Sequence, residues 1–229
     1  MRTAAAQSLG NLESRRATLG LIDVLKDTDA EVREAAAHSL GNLTDPRSIS
    51  ALAGALGDQS TGVRRAVLHA LSQFEEGLTP DMFRAALNDA DADIRATAAR
   101  TLGNLHDKGS VDLLTRLIGD KSVDVRQAAI QALGELELEV VPQAALDAFR
   151  DPNADVRQSA AQLAGNAHDR RAVSGLRQLL NDTSADVREA AVQALSEIRD
   201  AAAIDALVGA LKSNDAVVRK AAAEALGQR

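Results

Sequence analysis

An arginine recurs every 31 residues through the whole chain: Arg2, Arg33, Arg64, Arg95, Arg126, Arg157, Arg188 and Arg219, with no insertion between any two. An interval held that strictly means one structural unit copied along the chain, each copy burying its apolar side against the next. The columns around the arginine keep the same register. The residue before it is Val32, Val63, Ile94, Val125, Val156, Val187 and Val218, and three after it stand Ala36, Val67, Ala98, Ala129, Ala160, Ala191 and Ala222.

Within one copy Val32, Ala36, Leu40 and Leu43 fall on a single helical stripe, which makes this the second helix of the unit. Ile49, Leu52, Ala53 and Leu56, and again Ile204, Leu207, Val208 and Leu211, form the stripe of a first helix. Asp29, Ser60, Asp91, Ser122, Asn153, Ser184 and Asp215 stand four residues before each arginine, where their side chains can accept from the free N–H groups of a helix start. Glu31, Asp93, Asp124, Asp155 and Asp186 follow in the first turn, against the positive end of the helix dipole. Pro46 and Pro80 are placed as first helical residues, Pro142 opens a shortened helix, and Pro152 lies in a turn. The alanines let helices stacked on both sides approach closely. The expected fold is all-α, an α-solenoid of about 15 helices. Residues 1–229 form a single array: residues 1–12 are a second helix without its first, and seven repeats follow, with arginine anchors at 33, 64, 95, 126, 157, 188 and 219.

Six residues before the arginines stand Asp27, Asp58, Asp89, Asp120, Asp151 and Asp182, with Ser213 the exception. This spacing predicts a structural ladder. Arg33, Arg64, Arg95, Arg126, Arg157 and Arg188 fork toward the aspartate of their own turn and toward that of a neighbouring repeat, filling several of the five guanidinium donors. One copy per repeat suits a stacked array better than a binding site for an anion.

Composition narrows the function. The net charge of -7 argues against general nucleic-acid binding, which depends on clustered Lys and Arg. No cysteine is present, so disulfides, thiolate metal sites and thiol nucleophiles are excluded. No apolar run is long enough to span a bilayer and the start is unlike a signal peptide, which leaves the cytoplasm as the default location. No phosphate loop, G-x-S-x-G elbow or H-E-x-x-H motif occurs. His38 and His69 share a repeat position and could bring two imidazoles toward one metal, but no third ligand is evident, so the expectation is no metal and no cofactor. His106 and His168 read as loop residues.

The unit D-x-S/D-x-x-V-R-x-A-A-x-x-L-G-x-L resembles the short HEAT-like repeat of phycobilisome lyases and many bacterial HEAT-repeat proteins, over the whole chain. Ser72 and Ser196 depart from the glycine of Gly41, Gly103 and Gly165, and Leu138 from the aspartate of Asp45, Asp107 and Asp169. The resemblance implies a right-handed superhelix whose concave wall is made by the exposed faces of the second helices. That wall would hold Glu34, His38 and Asn42; Arg65, His69 and Gln73; Ala96, Arg100 and Asn104; Gln127, Gln131 and Glu135; Gln158, Gln162 and Asn166; Glu189, Gln193 and Glu197. Two enzyme families share the repeat. Deoxyhypusine hydroxylases hold iron through His-Glu pairs, and here the histidines are followed by Ser39, Ala70, Asp107 and Asp169. A bilin site in a lyase would call for aromatic surface, and the chain has three Phe, no Tyr and no Trp. Phe74, Phe83 and Phe149 all fall in core columns.

The reading is a non-catalytic protein-binding scaffold. Alternatives are a phycobilin-lyase-like or chaperone-like subunit, a structural spacer of a longer protein, and an engineered repeat binder, although the repeats differ more than a consensus design would allow. His38, His69, Arg65 and Arg100 make the early wall mildly positive. Asp124, Asp155, Asp186, Glu135, Glu189 and Glu197 make the later wall acidic, so the expected partner is a protein or peptide with a basic segment docking over residues 124–197. Neither end reads as a polar terminal repeat. The expectation is a segment of a longer array, able to self-associate weakly through its ends.

Overall fold

The computed structural model describes residues 2–11 and 15–228. Met1 and Leu12, which the sequence assigns to the first helix, and Arg229 lie outside them. The chain forms two compact units, Met1–Gly109 and Ser110–Arg229.

The first unit holds α1 (Arg2–Asn11), α2 (Thr18–Val24), α3 (Ala30–Leu43), α4 (Ile49–Ala55), α5 (Thr61–Leu71), α6 (Arg84–Leu87) and α7 (Ala92–Asn104). The second holds α8 (Val111–Leu117), α9 (Val123–Gly134), α10 (Gln143–Asp147), α11 (Ala154–Asn166), α12 (Val173–Leu179), α13 (Ala185–Glu197), α14 (Ala201–Ala210) and α15 (Ala216–Gly227). Among the described residues there are fifteen α-helices and no strand, an all-α solenoid of helix pairs. Second helices pack on second helices in chain order, α1 on α3 and α3 on α5 in the first unit, and α9 on α11 and α11 on α13 in the second.

The first helices are shorter than their apolar stripes suggest, because several open with a tight 3-10 turn. Pro46–Ser48 and Pro80–Phe83 are such turns, so both prolines are first residues of 3-10 rather than α segments. In each unit the core follows one column of the first helices. Leu21, Leu52 and Phe83 in the first unit, and Leu114, Ala145, Leu176 and Leu207 in the second, are spaced by 31 residues and are all at most 2% exposed. Where that column narrows to Ala145, the same repeat carries the larger Phe149 at the position of Leu56, Leu87, Ile118 and Leu180. The exchange roughly conserves volume, the kind of substitution cores tolerate best.

The second helices approach closely enough to need glycine at two points. A Cβ on Gly41 would stand 2.8 Å from Ala70 Cα, and one on Gly165 2.7 Å from Ala194 Cα. After four second helices the chain turns through a left-handed residue that is not glycine: Thr44, His106, Glu137 and His168, with φ of 42, 50, 47 and 51°. They share one repeat position, so the two histidines read as loop residues hold the turns that leave α7 and α11.

The stripe expected for the last first helix is only partly buried. Leu207 is inside, but Ile204, Val208 and Leu211 are 41, 47 and 38% exposed.

Candidate functional site

Six aspartates make the same turn. Oδ1 of Asp27, Asp58, Asp89, Asp120, Asp151 and Asp182 accepts from the backbone N–H two residues on, at 2.8 to 2.9 Å. This Asx turn presents the helix start in extended conformation. Asp29, Asp91, Asn153 and Asp215 then cap their helices through the side chain, whereas Ser60, Ser122 and Ser184 hold the cap position without a side-chain hydrogen bond. The serine caps expected from sequence are therefore positional only. The preceding aspartate fixes the backbone whichever residue follows.

The same carboxylates receive the arginines. Arg33 donates from Nε and Nη2 to the two oxygens of Asp58 at 2.7 and 2.8 Å, and from Nη1 to the carbonyl of Asp27 at 2.8 Å. Arg126 repeats this with Asp151 and the Asp120 carbonyl, and Arg157 with Asp182 and the Asp151 carbonyl. Arg64 forks to Asp89 likewise, and Arg95 donates to the carbonyls of Asp89 and Ala90. The turn before an arginine thus contributes its carbonyl, and the carboxylate comes from the repeat after it. At the end of the ladder Ser213 makes the turn through its hydroxyl, and Arg188 takes the cap residue Asp215 instead, at 2.7 Å. The Arg33 hydrogen bond, opposed by burial, holds the Asp58 carboxyl below the usual carboxylate range, and Arg157 does the same for Asp182.

A second polar column was not legible in the sequence. Asp45 accepts from the Thr18 hydroxyl at 2.8 Å and from the Arg47 guanidinium, and its carboxyl is driven far down by that arginine. Asp169 accepts from the Val141 N–H at 3.1 Å and from Arg171, which also donates to the Val141 carbonyl. Here an aspartate at a first-helix start clasps the repeat before it. The signal was the aspartate column itself, but its partners differ from repeat to repeat.

The exposed face of the second helices differs between the units. In the first, Arg65, its side chain 54% exposed, donates to Asp91 at 2.8 Å and to Asp93 at 3.1 Å. His38 and His69 stand edge to face with ring centroids 6.2 Å apart, and His38 Nε2 lies 4.0 Å from Glu34 Oε1. Among the described residues no group of three or more His, Cys, Asp or Glu could hold a metal ion. Asn42, Gln73, Arg100 and Asn104 are exposed, while Ala96 is buried. In the second unit the positions equivalent to Arg65 are Gln127, Gln158 and Glu189, and none can neutralise the acids of the next repeat. Asp124, Asp155 and Asp186 are exposed, as are Gln131, Gln162, Gln193, Glu135 and Asn166, while Glu197 is half-buried and accepts from Gln193 at 3.5 Å. All three phenylalanines are buried.

A family model described as HEAT repeats matches residues 1–74, 80–163 and 142–227. The chain belongs to the HEAT-repeat family. Among solved structures, this HEAT array is similar to YibA of Escherichia coli, with 20% identity and a TM-score of 0.68 over 98% of this chain and 86% of that one. An engineered protein matches with 23% identity and a TM-score of 0.59, over 98% of this chain and 73% of that one. The complex of CpcE and CpcF of phycocyanin lyase from Nostoc sp. PCC7120 is a more distant likeness, with 22% identity and a TM-score of 0.47 over 90% of this chain and 74% of that one. No curated protein matches. No described helix of the array is long and apolar enough to cross a membrane.

Proposed function

We propose that this chain is a protein-binding scaffold, and that its working surface is the exposed face of α9, α11 and α13, which takes a basic segment of a partner protein. The observation that carries the reading is the contrast at one repeat position. Arg65 pairs with Asp91 and Asp93 in the first unit, whereas the uncharged Gln127 and Gln158 stand in its place ahead of the exposed Asp155 and Asp186. Exposed carboxylates without that arginine are open to an outside cation, and such charge complementarity steers a basic partner and sets its orientation more than it adds affinity. The Arg–Asp ladder serves this surface by holding the helices in register while its own charges stay inside the turns.

A lyase-like subunit has less behind it. With every phenylalanine in the core and no Trp or Tyr, the face offers no aromatic surface on which a conjugated ring system could stack. The test is capture from a cell lysate by the intact chain and by Asp155→Lys/Asp186→Lys. A partner with a lysine- or arginine-rich segment, retained by the first and lost with the second, supports the scaffold. A partner retained equally by both, or capture of a chromophore-bearing protein with a shifted absorbance, overturns it.

A further inference from the structure

We propose that the face of α9, α11 and α13 accepts an extended peptide in the polyproline-II conformation with Lys or Arg at every third position, one basic residue per repeat. The proposal rests on the scaffold reading and adds the shape and spacing of what is bound. Asp124, Asp155 and Asp186 occupy one position of three successive repeats, and Gln131, Gln162 and Gln193 another, seven residues further along each helix. Both columns are exposed, and Gln131 and Gln162 stand two turns along from acids of the same helix. Helices packed through small side chains lie about 8 to 10 Å apart. Each column therefore offers the same group at that interval.

Of the regular backbone conformations, one matches. A polyproline-II chain turns once in three residues and rises about 9 Å in doing so, so every third side chain leaves from the same side at the interval of the columns. A β-strand returns to the same side after about 6.6 Å and an α-helix after about 5.4 Å, and both drift out of register within two repeats. Polyproline II also has no internal hydrogen bonds, so its carbonyls, and its N–H groups where the residue is not proline, need outside partners. The glutamine column supplies them, since a primary amide is donor and acceptor at once.

The first unit contains the contact in miniature. There the Arg65 guanidinium, from the repeat before, lies 3.1 Å from Asp93, the counterpart of Asp155 and Asp186, and 2.8 Å from the cap residue Asp91, where the second unit has Asn153 and Ser184. In the second unit Gln127 and Gln158 replace that arginine ahead of Asp155 and Asp186, and the peptide's basic side chains take the place it vacates. Asp93, already paired, is no part of the proposed surface.

The experiment uses the intact chain and fluorescein-labelled peptides of equal length, proline content and net charge, with lysine at every second, third or fourth position, read by anisotropy at physiological salt. Spacing by three should bind roughly tenfold tighter than the other two. Asp155→Asn/Asp186→Asn should erase that preference, and Asp93→Asn should leave it intact. Equal affinity for all three spacings overturns the register while leaving the acidic scaffold standing. Absence of binding to any of them, with circular dichroism showing a folded chain, overturns both.

Discussion

Arg157 and Asp182 meet as a two-point fork, Nε and Nη2 on the two carboxylate oxygens at 2.8 and 2.7 Å, with side chains only 13 and 9% exposed. The arginine belongs to α11 and the aspartate to the turn before α13, so the pair ties one repeat to the next. Its third donor closes on the Asp151 carbonyl at 2.8 Å, in the turn that starts its own helix. One side chain thereby fixes a turn and an inter-repeat spacing together, which explains why a charge recurs beside an apolar stripe.

Removing an arginine from this ladder leaves a carboxylate in a shielded turn without its cation. Arg126→Ala should lower stability by about 3 to 5 kcal/mol, the range for breaking a shielded pair by deleting one partner. Arg126→Lys should recover only part of this, because an ammonium cannot reproduce the fork. Urea titration of both variants checks it, and an Arg126→Ala midpoint equal to that of the parent contradicts the ladder.

Two glycines of the second helices separate close approach from helix propensity. Gly165→Ala places a methyl 2.7 Å from Ala194 Cα and should destabilise by about 1 to 3 kcal/mol, the usual cost of overpacking. A methyl added to Gly134, at the end of α9, would meet nothing within 4 Å, so Gly134→Ala should be neutral or stabilise by up to about 1 kcal/mol. Opposite signs in thermal melts are the expected outcome.

Stability should hold from neutral pH down to about pH 5 and fall below about pH 4. Asp58 and Asp182 are held below the ordinary carboxylate range by hydrogen bonds from Arg33 and Arg157. A carboxyl depressed on folding contributes stability that is fully present above its unfolded value, about 3.9, and is lost as pH falls toward its folded one. Asp58→Asn should be less stable than the parent at neutral pH and should lose less on acidification. A parent chain that weakens between pH 8 and 6 contradicts this assignment.

The fold was legible because its signal repeats. Eight arginines in register, six of them preceded by valine and seven followed three residues on by alanine, identify a helix pair without any tertiary information. Burial of Leu21 through Leu207 follows from the same period. What the period hides is where the copies differ. The pairing of Arg65 with Asp91 and Asp93 joins residues from two repeats whose side-chain directions only the packed helices define. The replacement of Ser213 by Asp215 as the acceptor for Arg188 likewise depends on a reach of two residues around a turn. The stripe of α14 resembles that of α4 in sequence, yet Ile204 is exposed where Ile49 is buried, since burial depends on what lies against a helix as well as on its pattern.

The central claim, that the acid-and-amide face of the second unit is the working surface, is tested most directly by the side-chain NH2 resonances of the intact chain. In a 15N correlation spectrum titrated with the peptide carrying lysine at every third position, the signals of Gln131, Gln162 and Gln193 should shift together. Those of Asn42 and Gln73, on the first unit, should stay in place. Shifts at Asn42 and Gln73 with the glutamine column unmoved would contradict the account.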